Sequence, residues 1–148
     1  MAALVTGWGR LSSSGPLADV LQEATVRTLS IEQCRRKYGQ SRISDNMICA
    51  EEPGKDSCEG DNGGPLAVLG QDGSYRQIGV VSWGRGCARQ GYPGVYTRLS
   101  SLLGWIQDRI SNTNNDNQGE YIPIRIFPVL PNCFYSPNTQ MVILYFQL

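Results

Sequence analysis

The sequence predicts an all-β fold, and three observations carry that reading. Its 148 residues include 17 glycines but few long helical periodicities, which favours short strands joined by tight turns. Short β-prone runs recur between turn-forming stretches, as at Ile78, Val80 and Val81. Gln71-Asp72-Gly73-Ser74 then reads as the turn of a β-hairpin.

Taken in order, residues 4–9 read as a first strand that ends on Trp8-Gly9. Leu11-Ser12-Ser13-Ser14-Gly15-Pro16 is a loop by composition. Residues 21–29 alternate towards their end, with Val26 and Leu29 flanking polar residues, and predict a second strand. Ser30 caps a short helix over residues 31–38, which Gly39 stops. Its basic residues Arg35, Arg36 and Lys37 fall in the last turn, where the helix dipole favours them. Residues 46–50, 66–69, 77–83 and 94–99 supply four more strands. Leu102, Leu103, Trp105, Ile106 and Ile110 recur at helical spacing over about residues 100–111, and this stripe is expected to dock on the sheet.

The character of the chain changes after residue 111. Residues 112–120 form a polar linker. Residues 121–148 form an apolar, proline-punctuated tail, expected to be disordered or aggregation-prone around Met141-Val142-Ile143-Leu144-Tyr145-Phe146. The domain prediction is therefore a body over residues 1–111, then linker, then tail.

Composition narrows the function. Thirteen basic and 13 acidic residues cancel, so nothing favours a nucleic acid or an anionic membrane as partner. No transmembrane span is visible in the sequence. Five cysteines cannot all pair within one chain. They include no CxxC pair, and the sequence has no histidine, so neither a metal site nor a cofactor is expected. Disulfides are the better use of the cysteines and place the chain in an oxidising, extracellular setting. The first nine residues nevertheless lack a basic and then apolar leader. Together these features lead to the expectation of a truncated chain without its signal peptide.

The chemistry concentrates in Asp56-Ser57-Cys58-Glu59-Gly60-Asp61-Asn62-Gly63-Gly64-Pro65-Leu66. Glycines here let backbone approach a ligand closely. Successive N–H groups of such a turn can converge on an oxygen that gains negative charge. The stretch resembles the GDSGGP loop of the trypsin-like serine proteases, with Asn62 where the family has its nucleophilic serine. Other motifs follow in the family's order. Val5-Thr6-Gly7-Trp8-Gly9 resembles its opening strand, Asn46-Met47-Ile48-Cys49-Ala50 a disulfide-bearing strand, and Val81-Ser82-Trp83-Gly84 the edge that pairs with substrate. Gly91-Tyr92-Pro93-Gly94-Val95-Tyr96-Thr97 resembles a wall of the specificity pocket.

The resemblance covers about residues 4–111 and implies the family's C-terminal half: a six-stranded antiparallel Greek-key barrel with a short mid-chain helix and a C-terminal helix. It implies disulfides Cys34–Cys49 and Cys58–Cys87, leaving Cys133 over. A third family bridge would join the positions of Ala3 and Val68, so both of its partners are absent together. Asp56 falls at the pocket base that selects Lys or Arg by charge, with Ser57 beside it. Ser82, Trp83, Gly84 and Gly94 fall on the substrate-binding walls. Gly60, Asp61 and Asn62 form the oxyanion loop, whose N–H donors belong to Gly60 and Asn62. In the family the acid at Asp61 pairs with an N-terminal amine released by activation cleavage, so without that amine the loop is expected to stay open.

No intact catalytic set is expected. The chemistry needs a hydroxyl, a histidine and an orienting acid; here Asn62 replaces the first and the second is absent. The leading expectation is an inactive homologue whose pocket binds a protein or peptide through a Lys or Arg side chain. The alternatives are half of a serine endopeptidase that needs a separate N-terminal barrel, and an incomplete gene product without independent function.

Overall fold

The computed structural model describes residues 1–113. Six strands close into one antiparallel barrel: β1 (Ala2–Gly7), β2 (Gln22–Thr28), β3 (Met47–Glu51), β4 (Pro65–Leu69), β5 (Tyr75–Trp83) and β6 (Gly94–Arg98). Their order around the barrel is β1-β2-β3-β6-β5-β4. Closure comes from β1 pairing with β4, Leu4 opposite Ala67 and Val5 opposite Leu66. Helices α1 (Ile31–Tyr38) and α2 (Leu103–Thr113) complete the fold, with short 3-10 turns at Gln40–Arg42 and Leu99–Ser101. The all-β expectation and the six-stranded barrel are both met.

Alternation puts one face of each strand inside. Ala3, Val5, Val26, Ile48, Ala50, Leu66, Val81 and Tyr96 fill the barrel. Val68 packs against this same cluster as Ala3, so the two positions without a bridge are filled by apolar contact instead. A second cluster of Cys34, Tyr38, Ile43, Cys49 and Val95 fastens α1 to the barrel wall.

The cap expected at Ser30 forms in both directions. Ser30 Oγ accepts from the Gln33 N–H at 3.2 Å, and Gln33 Oε1 accepts from the Ser30 N–H at 2.9 Å. The reciprocal pair satisfies two donors that the helix itself leaves open. The Cys34–Cys49 and Cys58–Cys87 disulfides are both present, with Cα separations of 6.0 and 5.2 Å.

Three expectations need correction. The first strand occupies Ala2–Gly7 rather than residues 4–9. The chain leaves the ladder because the Gly9 N–H is taken by the Asp61 carboxylate at 2.7 Å, and a Cβ on Gly7 or Gly9 would overlap that carboxylate. The 3-10 turn at Gln40–Arg42 has no counterpart in the sequence reading; Arg35 Nε, donating to the Ile43 carbonyl at 3.0 Å, braces it. Nor does the stripe on α2 dock as expected: Leu103, Trp105 and Ile110 are each more than half exposed. Leu102 and Ile106 of the same stripe are only partly buried, and the helix follows directly on the preceding 3-10 turn. Cys133, the tail and nearly all of the linker lie outside the described residues.

Candidate functional site

The site lies where β5 outruns its neighbour. Val80 pairs with Pro65, the first residue of β4, yet β5 continues to Trp83. Val81 uses its N–H on the Gly64 carbonyl (2.9 Å) and its carbonyl on the Gly63 N–H (3.0 Å). Past Val81 no strand among the described residues lies on that side, and Ser82, Trp83 and Gly84 are exposed. Such an overhang presents backbone groups to which an extended peptide can add.

Beside it opens a cleft of about 250 Å³ whose walls include Asp56, Ser57, Asn62, Ser82, Trp83, Gly84 and Gly94. Every residue assigned from the sequence to substrate binding therefore meets in one place, together with Asn62. Asp56 is only partly exposed, and its oxygens accept from the N–H groups of Ser57 and Ala88, each at 2.9 Å. Burial pushes its carboxyl above the ordinary aspartate range. The Ala88 and Ser57 N–H groups pull it back, and the charge of Asp61 adds to the rise. Among the described residues no cation pairs with Asp56, so this carboxylate lacks the counterion that burial favours.

Gly94 is required by close approach. A Cβ there would stand 2.6 Å from Asp56 Oδ1 and 3.1 Å from the Tyr96 ring. Tyr96 is fully buried behind it, and its hydroxyl lies 3.3 Å from Ser57 Oγ. Burial raises the Tyr96 phenol, so it stays protonated and can donate.

The oxyanion-loop residues divide. Asn62 is exposed on the cleft, whereas Asp61 turns away to line a second, larger cavity of about 370 Å³ with Gly7, Gly9 and Asp56. The open loop expected for want of an amine is not what forms. Asp61 Oδ1 accepts from Gly9 N–H at 2.7 Å and Oδ2 from Cys58 N–H at 2.8 Å, so two backbone donors satisfy the carboxylate. The Asp61 N–H goes to the Cys58 carbonyl. Among the described residues the N–H groups of Gly60 and Asn62 have no acceptor.

Sequence reasoning missed Ser13 and Gly86, which also line the cleft. Ser13 Oγ accepts from the Cys87 N–H at 2.9 Å, tying the loop after β1 to the cleft wall. A serine among three in a polar loop carries no signal of such a contact. Among the described residues no three His, Cys, Asp or Glu side chains stand together as a metal site. No described helix is long and apolar enough to cross a membrane.

Comparison with known proteins agrees with this geometry. The family model Trypsin matches residues 2–106. Trypsin-1 of Astacus astacus is 55% identical over 106 residues, 70% of this chain and 44% of that protein. Transmembrane protease serine 9 of Rattus norvegicus is 50% identical over 109 residues, 72% of this chain and 10% of that protein. Trypsin I-P1 of Gallus gallus is 47% identical over 112 residues, 74% of this chain and 43% of that protein. The chain thus spans less than half the length of these relatives.

Proposed function

Because this chain belongs to the trypsin-like serine protease family, we propose that it is an inactive member of it, corresponding to the C-terminal barrel. It binds a peptide or protein through a Lys or Arg side chain. One observation carries the loss of activity: Asn62 stands in Gly60-Asp61-Asn62-Gly63-Gly64-Pro65 where the family's nucleophile stands. A carboxamide nitrogen shares its lone pair with its own carbonyl and cannot attack as an activated hydroxyl does. The 148 residues also supply no histidine to take a proton.

Binding is a separate matter from catalysis. Among the described residues the Asp56 carboxylate has no cation, Gly94 lines the cleft beside it, and the β5 overhang can pair with extended backbone. A guanidinium has the fork geometry to engage such a carboxylate. The two disulfides support an oxidising, extracellular location.

The second reading is half of an endopeptidase completed by a separate N-terminal barrel. The hydrogen-bonded Asp61 favours it, as do the Gly60 and Asn62 N–H groups, which have no acceptor among the described residues, since an oxyanion site needs those donors. Asn62 opposes it.

Turnover of an arginine ester separates the readings. The parent chain and Asn62→Ser are expected to be inactive alone, because triad members act as a unit and one restored group recovers little. Only Asn62→Ser mixed with the N-terminal barrel of an active relative is expected to turn over. Hydrolysis by the purified parent that a serine-directed inhibitor blocks would overturn the proposal.

A further inference from the structure

Arg10, Arg27, Arg35 and Arg76 each pair with a carboxylate. Arg98 is held by the backbone carbonyls of Asp45 and Met47. Arg85 and Arg89 differ. Both are exposed, neither has a carboxylate partner among the described residues, and both lie against one aromatic ring. The Arg85 guanidinium is 4.7 Å from the Tyr92 ring centroid and that of Arg89 is 5.0 Å from it. Arg85 Nη1 also donates to Tyr92 Oη at 3.0 Å.

The cluster is built into the rim of the cleft. Tyr92 is tilted against Tyr38 at 5.8 Å, and Tyr38 meets Trp83 edge-on at 4.9 Å. Tyr38 is itself fixed, donating its hydroxyl to the Pro93 carbonyl at 2.7 Å. Arg85 follows directly on Gly84, which lines the cleft. Each contact with this half-buried ring contributes about 0.5–2 kcal/mol and neutralises nothing. Two like charges sharing a ring repel each other at moderate ionic strength. A carboxylate is the counterpart that these two cations lack.

We infer that Arg85, Arg89 and Tyr92 form a carboxylate-binding subsite that selects a peptide with an acidic side chain along the β5 overhang. The inference rests on the proposed reading that a peptide lies there with a basic side chain in the Asp56 cleft. Successive side chains of an extended peptide advance by about 3.3 Å each. Arg85 follows Gly84 of the cleft wall and Arg89 follows Ala88, whose N–H holds Asp56, so the acid sits only a few residues from the arginine and the ligand is an acidic–basic segment.

The test uses the full chain and two end-blocked peptides, each with a single arginine. One carries a run of glutamates before it and the other a run of glutamines. The glutamate peptide is expected to bind roughly fivefold tighter, and added salt should shrink the difference. In an Arg85→Gln/Arg89→Gln variant the preference should vanish. In an Arg85→Glu/Arg89→Glu variant it should turn towards a peptide with a run of lysines. Circular dichroism and disulfide mapping confirm that each variant is folded. Equal affinity of the parent for both peptides, with binding that still depends on Asp56, overturns the acidic subsite and leaves the cleft intact. Failure of a folded parent to bind either peptide overturns both readings.

Discussion

On the proposed reading, Asp56 sets the pH dependence of binding in the cleft. Its carboxyl is raised in the fold, chiefly by burial, so the folded chain keeps this proton to a higher pH than the unfolded chain does. Over that window the folded state binds more protons, and the Asp56 contribution to stability declines as pH rises. Affinity for an arginine-like cation runs the other way, because only the carboxylate pairs with it. Calorimetry with an aryl-amidine should show binding that strengthens from acid to neutral pH, with a midpoint above the ordinary aspartate value. Asp56→Ala should weaken it about 10- to 100-fold at neutral pH. Binding that is independent of pH would remove Asp56 from the site. Gly94→Ala offers a steric counterpart: its Cβ meets a carboxylate pinned by two N–H groups and a buried tyrosine. A loss of about 1–3 kcal/mol in stability is expected from denaturant unfolding, together with loss of amidine binding. The family resemblance, rather than any local pattern, singled out Asp56, Gly84 and Gly94, and the fold brings all three to one cleft. The partners of Asp61 were not legible in the sequence, since any backbone N–H can satisfy a carboxylate and Gly9 is remote from it in sequence.

For single elements, local chemistry was readable and packing was not. Ser30 announced α1, and Ser30→Ala should cost about 1 kcal/mol with faster amide exchange at Gln33. An unchanged unfolding midpoint would mean that the Cys34–Cys49 bridge, rather than the cap, holds the helix. The end of β5 at Trp83 and the start of β6 at Gly94 matched the sequence reading, but β5 begins two residues earlier, at Tyr75, and β6 stops at Arg98, one residue short. On α2 the spacing of Leu102, Leu103, Trp105, Ile106 and Ile110 specified a helix correctly but not what would cover it. Periodicity reports which side chains share a face, whereas docking depends on whether another element reaches that face. Trp105 is 52% exposed, so Trp105→Gln should shift stability by no more than about 0.5 kcal/mol. Thermal unfolding monitored by far-ultraviolet circular dichroism checks this, and a large drop would place Trp105 in a packed interface.

Across the whole molecule, the two disulfides hold different things. Cys34–Cys49 fastens α1 to β3, while Cys58–Cys87 joins the two loops that carry Asp56 and its donor Ala88. Replacing either pair with serines should cost about 2–4 kcal/mol by denaturant unfolding. Only loss of the second pair should also weaken amidine binding in protein that is still folded; equal losses from both would contradict this division. The family resemblance supplied the pairing, and spacing alone would have left several connectivities open. Barrel closure was likewise beyond any local pattern, since it joins Leu4 and Val5 of β1 to Ala67 and Leu66 of β4. That seam governs timing. β1 waits for a strand synthesised much later before its second edge is covered, and contacts so distant in sequence slow folding towards the millisecond-to-second range. If closure is the last step, Val5→Ala should hasten unfolding far more than it delays folding. Until then β1 has an open edge, which makes the newly made chain most vulnerable to strand exchange with a neighbouring copy.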